Sequence, residues 1–267
     1  MPPLWIFPIA ILTAALCAVA TPTVADDTAS GIAANPCAGL KGPDDMPETQ
    51  WKAYLFAHDF GQLCHYRAQN AALRADNAAP RVVFMGDSIT ESWGQQHPAF
   101  FTAGKLDRGI SGQTTAQMLL RFRQDVIELH PQAVHILAGT NDIAGNTGPS
   151  TLEQVEANIV TMAELAQIHH IRVILASVPP AANFPWRPQL RIGDTIQALN
   201  AWMKSYAERQ GFIYVDYYTA MATPSGAMQP ALSKDGVHPT RKGYEVMEPL
   251  TDKAIRQALA SPPHDEH

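Results

Sequence analysis

Three separated motifs carry the residue types that acyl transfer requires: Ser88 in MGDSIT, Asn141 in GTND, and Asp235 with His238 in DGVHP. A serine hydroxyl is a poor nucleophile until a base takes its proton, and imidazole, at about 6.5 unperturbed, titrates in the right range. That ring must be held in one tautomer and its cation stabilised; Asp235, three residues before His238, is close enough in sequence to do both. Attack on a carbonyl also leaves negative charge on oxygen, which needs donors aimed at it. The Asn141 amide is one candidate, and the backbone N–H of Gly112, in the Gly-rich stretch RGISGQTT, is another.

Each motif also has a plainer use. Ser88 could cap a helix, with Glu91 three residues on completing a capping box. Thr114 or Thr115 could cap the next one, Asn141 could bond its own backbone, and DGVHP could be a turn with a solvated His238. All four plain uses holding together is a weaker account than one shared site, provided the fold brings these loops to one place.

The pattern of elements does so. Val82–Met85, Ala133–Ala138, Arg172–Ser177 and Phe212–Asp216 read as apolar strands. Helices are expected over Trp51–Ala75, through Met118, Phe122, Val126 and Leu129, and over 152–169, 194–210 and 241–260. Strands alternating with helices imply a mostly parallel sheet in a three-layer α/β/α sandwich. Ser88, GTND and SVPP each follow a strand, and ligands of open α/β sheets bind beyond the strands' carboxyl ends.

The chain has 267 residues, 46% hydrophobic and 16% charged, which fits one domain over 48–260. Its net charge of −6 and scattered Lys and Arg give no footprint for nucleic acid. Residues 4–20 are apolar and precede small residues near Ala25, so 1–25 reads as a secretory signal, with an uncleaved membrane anchor as the alternative. Leu16 before Cys17 argues against lipidation. Residues 26–47 read as a linker or extended arm and 261–267 as a disordered tail. In an oxidising compartment Cys37 and Cys64 could pair; the alternative is two buried thiols. No metal-binding spacing occurs among the ten histidines.

With these blocks the chain resembles the SGNH, or GDSL, hydrolases, a family of esterases and lipases. MGDSIT matches the first block, GISGQTT the second, GTND the third and DGVHP the last, over residues 81 to 258. The resemblance implies Ser88 as nucleophile and first oxyanion N–H, Gly112 and Asn141 as further oxyanion donors, and Asp235 and His238 as orienter and base. It also implies a flavodoxin-like sheet. The first block reads GDSI, and Asp107-Arg108 stands where many relatives carry Asn before the Gly-rich run. The G-x-S-x-G elbow of α/β-hydrolases is not completed, because Thr90 occupies its last position.

The expectation is a secreted or periplasmic serine esterase that needs no cofactor and has no stable membrane association once its signal is removed. Its substrate is a small-molecule or carbohydrate ester, with short acyl groups such as acetyl favoured over the longer chains of a lysophospholipase, lipase or thioesterase. Asp87, Trp93, Phe184 and Trp186 are expected among the substrate contacts, with Phe100 and Phe101 nearby. A different class, a metal-dependent phosphoesterase, would use Asp87, Asp142, Asp235 and His238 as ligands.

Overall fold

The computed structural model describes residues 32–260; the signal expected over 1–25 and the tail over 261–267 lie outside the described residues. The chain divides into two units, Met1–Gly39 and Leu40–His267. In the first, a turn closes where the Ala38 N–H donates to the Asn35 carbonyl. Cys37 and Cys64 are each disulfide-bonded.

Within the second unit, Val82–Gly86 (β1) is buried at every position, as a strand covered on both faces must be. It pairs in parallel with Lys105–Gly109 (β2) on one side and Ala133–Leu137 (β3) on the other. Arg172–Ala176 (β4) and Ile213–Val215 (β5) extend the sheet in the order β2-β1-β3-β4-β5, parallel throughout. This is the flavodoxin-like order.

Successive side chains of β1 point to opposite faces and join different cores. Val83 and Met85 pack with Met118, Phe122, Ile159 and Met203, which come from Thr115–Asp125 (α4), Leu152–Ile168 (α6) and Gly193–Gln210 (α7). Val82 and Phe84 pack with Trp93, Tyr217, Tyr244 and Met247, from Ser88–Gln96 (α3), Tyr217–Met221 (α8) and Arg241–Ala260 (α9). The result is the three-layer sandwich.

Two regions depart from the sequence reading. The helix expected over Trp51–Ala75 is two, Glu48–His58 (α1) and Arg67–Ala75 (α2). Between them the Asp59 carboxylate accepts from the N–H groups of Leu63 at 2.8 Å and Cys64 at 3.0 Å, which turns the chain. Strand β2 was not expected, because an edge strand of sequence KLDRG, half-exposed over its first three residues, carries no apolar run.

From β1 the chain crosses to β2 on one side, and from β2 it returns past β1 to β3 on the other, which opens a crevice beyond the carboxyl ends of β1 and β3. Ser88 follows one strand and Thr140–Ile143 (α5), with Asn141, follows the other.

Candidate active site

The chain leaves β1 through Gly86, where a Cβ would lie 2.0 Å from Thr90 Oγ1 and 3.2 Å from the Leu137 carbonyl oxygen. Only glycine permits this approach of strand to helix. Asp87, wholly buried, then caps α3, its Oδ1 accepting from the Ile89 N–H at 2.9 Å. Ser88 is therefore not the cap but the first helical residue, where backbone N–H groups have no intrahelical acceptor. Burial pushes the Asp87 carboxyl up to about 6, against the Ile89 N–H and the nearby His238, which pull it down.

Across the crevice, Ser88 Oγ lies 2.9 Å from His238 Nε2, and His238 Nδ1 lies 2.6 Å from Asp235 Oδ2. Burial opposes ionisation of Asp235, but hydrogen bonds from the His238 ring and from the backbone N–H groups of Val237 and His238 outweigh it and hold its pKa at about 2. A carboxylate only accepts, so Nδ1 carries the ring proton and Nε2 is left to accept from the serine. The loop is braced locally: Ser233 Oγ lies 3.0 Å from Asp235 Oδ1 and 2.7 Å from the His238 carbonyl.

The oxyanion candidates are tied to the residues that flank Ser88. Gly112 has φ +80°, a left-handed conformation that glycine adopts without strain. Ahead of it, Ser111 donates its N–H to Glu91 Oε2 at 3.0 Å and its hydroxyl to the same oxygen, so the loop is tied to the helix that begins with Ser88. Glu91 thus straps two chain segments together rather than completing a capping box. Asn141 Nδ2 donates to Asp87 Oδ2 at 3.1 Å and to the Gln113 carbonyl at 3.0 Å, while its Oδ1 accepts from Asn146 Nδ2 at 2.7 Å. Both amide hydrogens are committed, so an oxyanion would recruit this donor by displacing one acceptor.

Behind this loop runs a buried polar network. Arg121, fully buried, donates to Gln113 Oε1 at 2.6 Å, Asp125 Oδ2 at 3.0 Å and the Gly86 carbonyl at 3.0 Å. It joins the end of the nucleophile strand to the loop whose carbonyl holds Asn141. Glu91, Gln113, Arg121 and Asn146 were not singled out as site residues from sequence. Gln113 lies inside the second diagnostic block and Glu91 directly after the first, but which neighbour they bond is a tertiary matter.

Three expected substrate contacts need correction. Trp93 is fully buried, stacked between Phe100 at 4.7 Å and Tyr244 at 5.5 Å, and belongs to the core beneath α3. Phe184 is fully buried beneath Trp186. Asp87 spends its oxygens on Ile89 and Asn141. Trp186 alone of the four is exposed, at 41%, with its ring centroid 5.8 Å from that of His238. Of the four groups that a metal would need, Asp235 and His238 bond each other, Asp87 bonds Ile89 and Asn141, and Asp142 binds the Thr115 N–H and hydroxyl. Among the described residues no cluster of three or more His, Cys, Asp or Glu is placed to hold an ion.

The sequence profile of the GDSL-like lipase/acylhydrolase family matches residues 84–246, a span that holds Ser88, Gly112, Asn141, Asp235 and His238. The chain belongs to this family. Membership places it among ester hydrolases. The crystal structure of a GDSL-like lipase from Bacteroides thetaiotaomicron is similar, with 49% identity and a TM-score of 0.72 over 75% of this chain and 100% of that one. An acetylxylan esterase from Geobacillus stearothermophilus shares the fold at 21% identity, with a TM-score of 0.54 over 65% of this chain and 93% of its own. An uncharacterised lipoprotein of Bacillus subtilis is 36% identical over 78 residues, 28% of this chain and 32% of that protein. The match thus spans about a third of that curated relative's length. Among the described residues no helix is long and apolar enough to cross a membrane.

Proposed function

We propose that the chain is an extracytoplasmic serine esterase that removes short acyl groups, acetyl foremost, from a small-molecule or carbohydrate ester. The observation that carries this reading is the continuous set of contacts from Ser88 Oγ through the His238 ring to Asp235. His238 Nε2 takes the proton of Ser88 as Oγ attacks the ester carbonyl, and the N–H groups of Ser88 and Gly112 with the Asn141 amide receive the oxyanion. The protonated ring then gives its proton to the leaving oxygen. Water attacks the acyl-enzyme with His238 again as base, which restores Ser88.

The burial of Trp93 supports short acyl groups. Phe84, Trp93 and Phe100 are in mutual contact beneath α3, so the space these rings fill is not open to a long acyl chain. The apolar segment over residues 4–20 and the likeness to a lipoprotein support an extracytoplasmic place, secreted or periplasmic. Hydrolysis of a p-nitrophenyl series from acetate to palmitate, with chelator present and with Ser88→Ala alongside, tests the reading. Chelator-resistant activity on short esters that disappears in the variant is expected; activity surviving in Ser88→Ala refutes the mechanism, and a preference for palmitate transfers the assignment to a lipase.

A further inference from the structure

From the loop after β4 we infer that the exposed face of Trp186 is the leaving-group platform of this enzyme, and that the leaving group is a saccharide ring. The inference rests on the serine-esterase reading above and adds a substrate class to it. In acyl transfer the base that activated the serine must also protonate the departing oxygen, so the leaving group lies on the side of His238. The aromatic group on that side is Trp186, its ring centroid 5.8 Å from the imidazole and inclined to it by 34°.

This indole is held rigidly. Its ring stacks on Phe184 at 5.1 Å and 16°, and Phe184 is itself fully buried. A tight turn, in which the Arg187 N–H donates to the Phe184 carbonyl at 2.8 Å, fixes the segment on both sides of Trp186. A large apolar surface left in water on so firm a base incurs the cost of exposure without the freedom of a mobile loop, which is the form of a preorganised contact.

Its surroundings select the class of ligand. Arg187 and Gln189, which follow Trp186 in the chain, line a mixed polar and apolar cavity of about 370 Å³ together with Asp142, Ile143, Ser150 and Leu190, within the range of about 300 to 1,000 Å³ usual for small-molecule sites. Arg187 also donates to the Gly145 carbonyl at 3.4 Å, which links this wall to the chain just after Asn141. A ligand that suits both features has an apolar face to lie on an indole and hydroxyl groups at its edge for polar side chains. A pyranose ring has both. An alkyl alcohol lacks the polar edge, and a quaternary ammonium, which would favour the indole face, is opposed by the adjacent guanidinium.

The test compares kcat/KM for an acetylated xylo-oligosaccharide, ethyl acetate and acetylcholine in the wild type, Trp186→Ala and Trp186→Phe. The ratio of the saccharide acetate to ethyl acetate is expected to fall tenfold or more in Trp186→Ala, chiefly through KM, and to recover most of that loss in Trp186→Phe. An unchanged ratio overturns the platform, since a merely structural Trp186 would depress both substrates alike. A wild type that prefers acetylcholine to the saccharide overturns the saccharide class. If ethyl acetate is not turned over in a Ser88-dependent way, the esterase reading itself falls, and that result is separate from either of the others.

Discussion

The two halves of the site are built in opposite ways. On the nucleophile side, Ser88 and its oxyanion partners are held by contacts that tie separate segments together: Asp87 with Asn141, Gln113 with Arg121 and Arg121 with Gly86, all buried, and Glu91 with Ser111 at the surface. On the base side, Asp235 and His238 are half-exposed and are held by bonds within their own loop, from Ser233 to His238. The difference follows from what each half does. Oxyanion donors act through fixed dipoles and need a frame that does not relax, whereas a proton carrier needs one orientation and access to water.

The largest expected break falls on the buried frame. Arg121→Ala leaves the Asp125 carboxylate without its cation and the Gln113 and Gly86 acceptors unpaired, at about 3–5 kcal/mol. Urea unfolding should show a correspondingly lower midpoint; a change under about 1 kcal/mol would mean that the network is decorative.

Glu91→Ala sharpens the comparison at the site itself. Releasing Ser111 from α3 should lower kcat about tenfold, near 1.4 kcal/mol, while KM moves little. Glu91→Gln keeps an acceptor for the Ser111 N–H and should recover most of the rate. Equal effects on kcat and KM, or no rescue by Gln, would contradict a positioning role.

A pH-dependent effect concerns Asp107, beside the same strap. Burial pushes its carboxyl up to about 7, against the Gly109 N–H, which lowers it. The folded state thus keeps a proton that the unfolded chain has lost above about pH 4, so this group's contribution to stability falls as pH rises from about 4 to 7. Asp107→Asn removes that dependence. The variant should match the wild type near pH 4 and exceed it at pH 8 by up to about 4 kcal/mol, the worth of raising the carboxyl from 3.8 to about 7, read as a higher Tm. A variant less stable than the wild type at pH 8 would show that the carboxylate is needed there.

How much of this was legible beforehand follows the same division. The DGVHP loop is nearly self-contained, so the Asp235–His238 contact could be expected from a spacing of three residues. The strands of the centre were legible because burial on both faces demands an apolar run, and β2 was not, because an edge strand makes no such demand. Trp93 and Phe184 look in sequence like Trp186, since an aromatic after a strand reads the same whether it enters the core or faces the crevice.

The sequence by itself therefore determined the α/β sandwich, the crevice at the end of β1 and β3, and the residue types gathered there, because strand periodicity and short-range motifs are local properties of the chain. Only the tertiary structure decided that Asp87 caps α3 and holds Asn141, that Glu91 reaches Ser111, and that Trp186 rather than Trp93 meets the site. Those choices depend on which distant segment comes to lie across each side chain, and packing settles that only when the whole sheet is assembled.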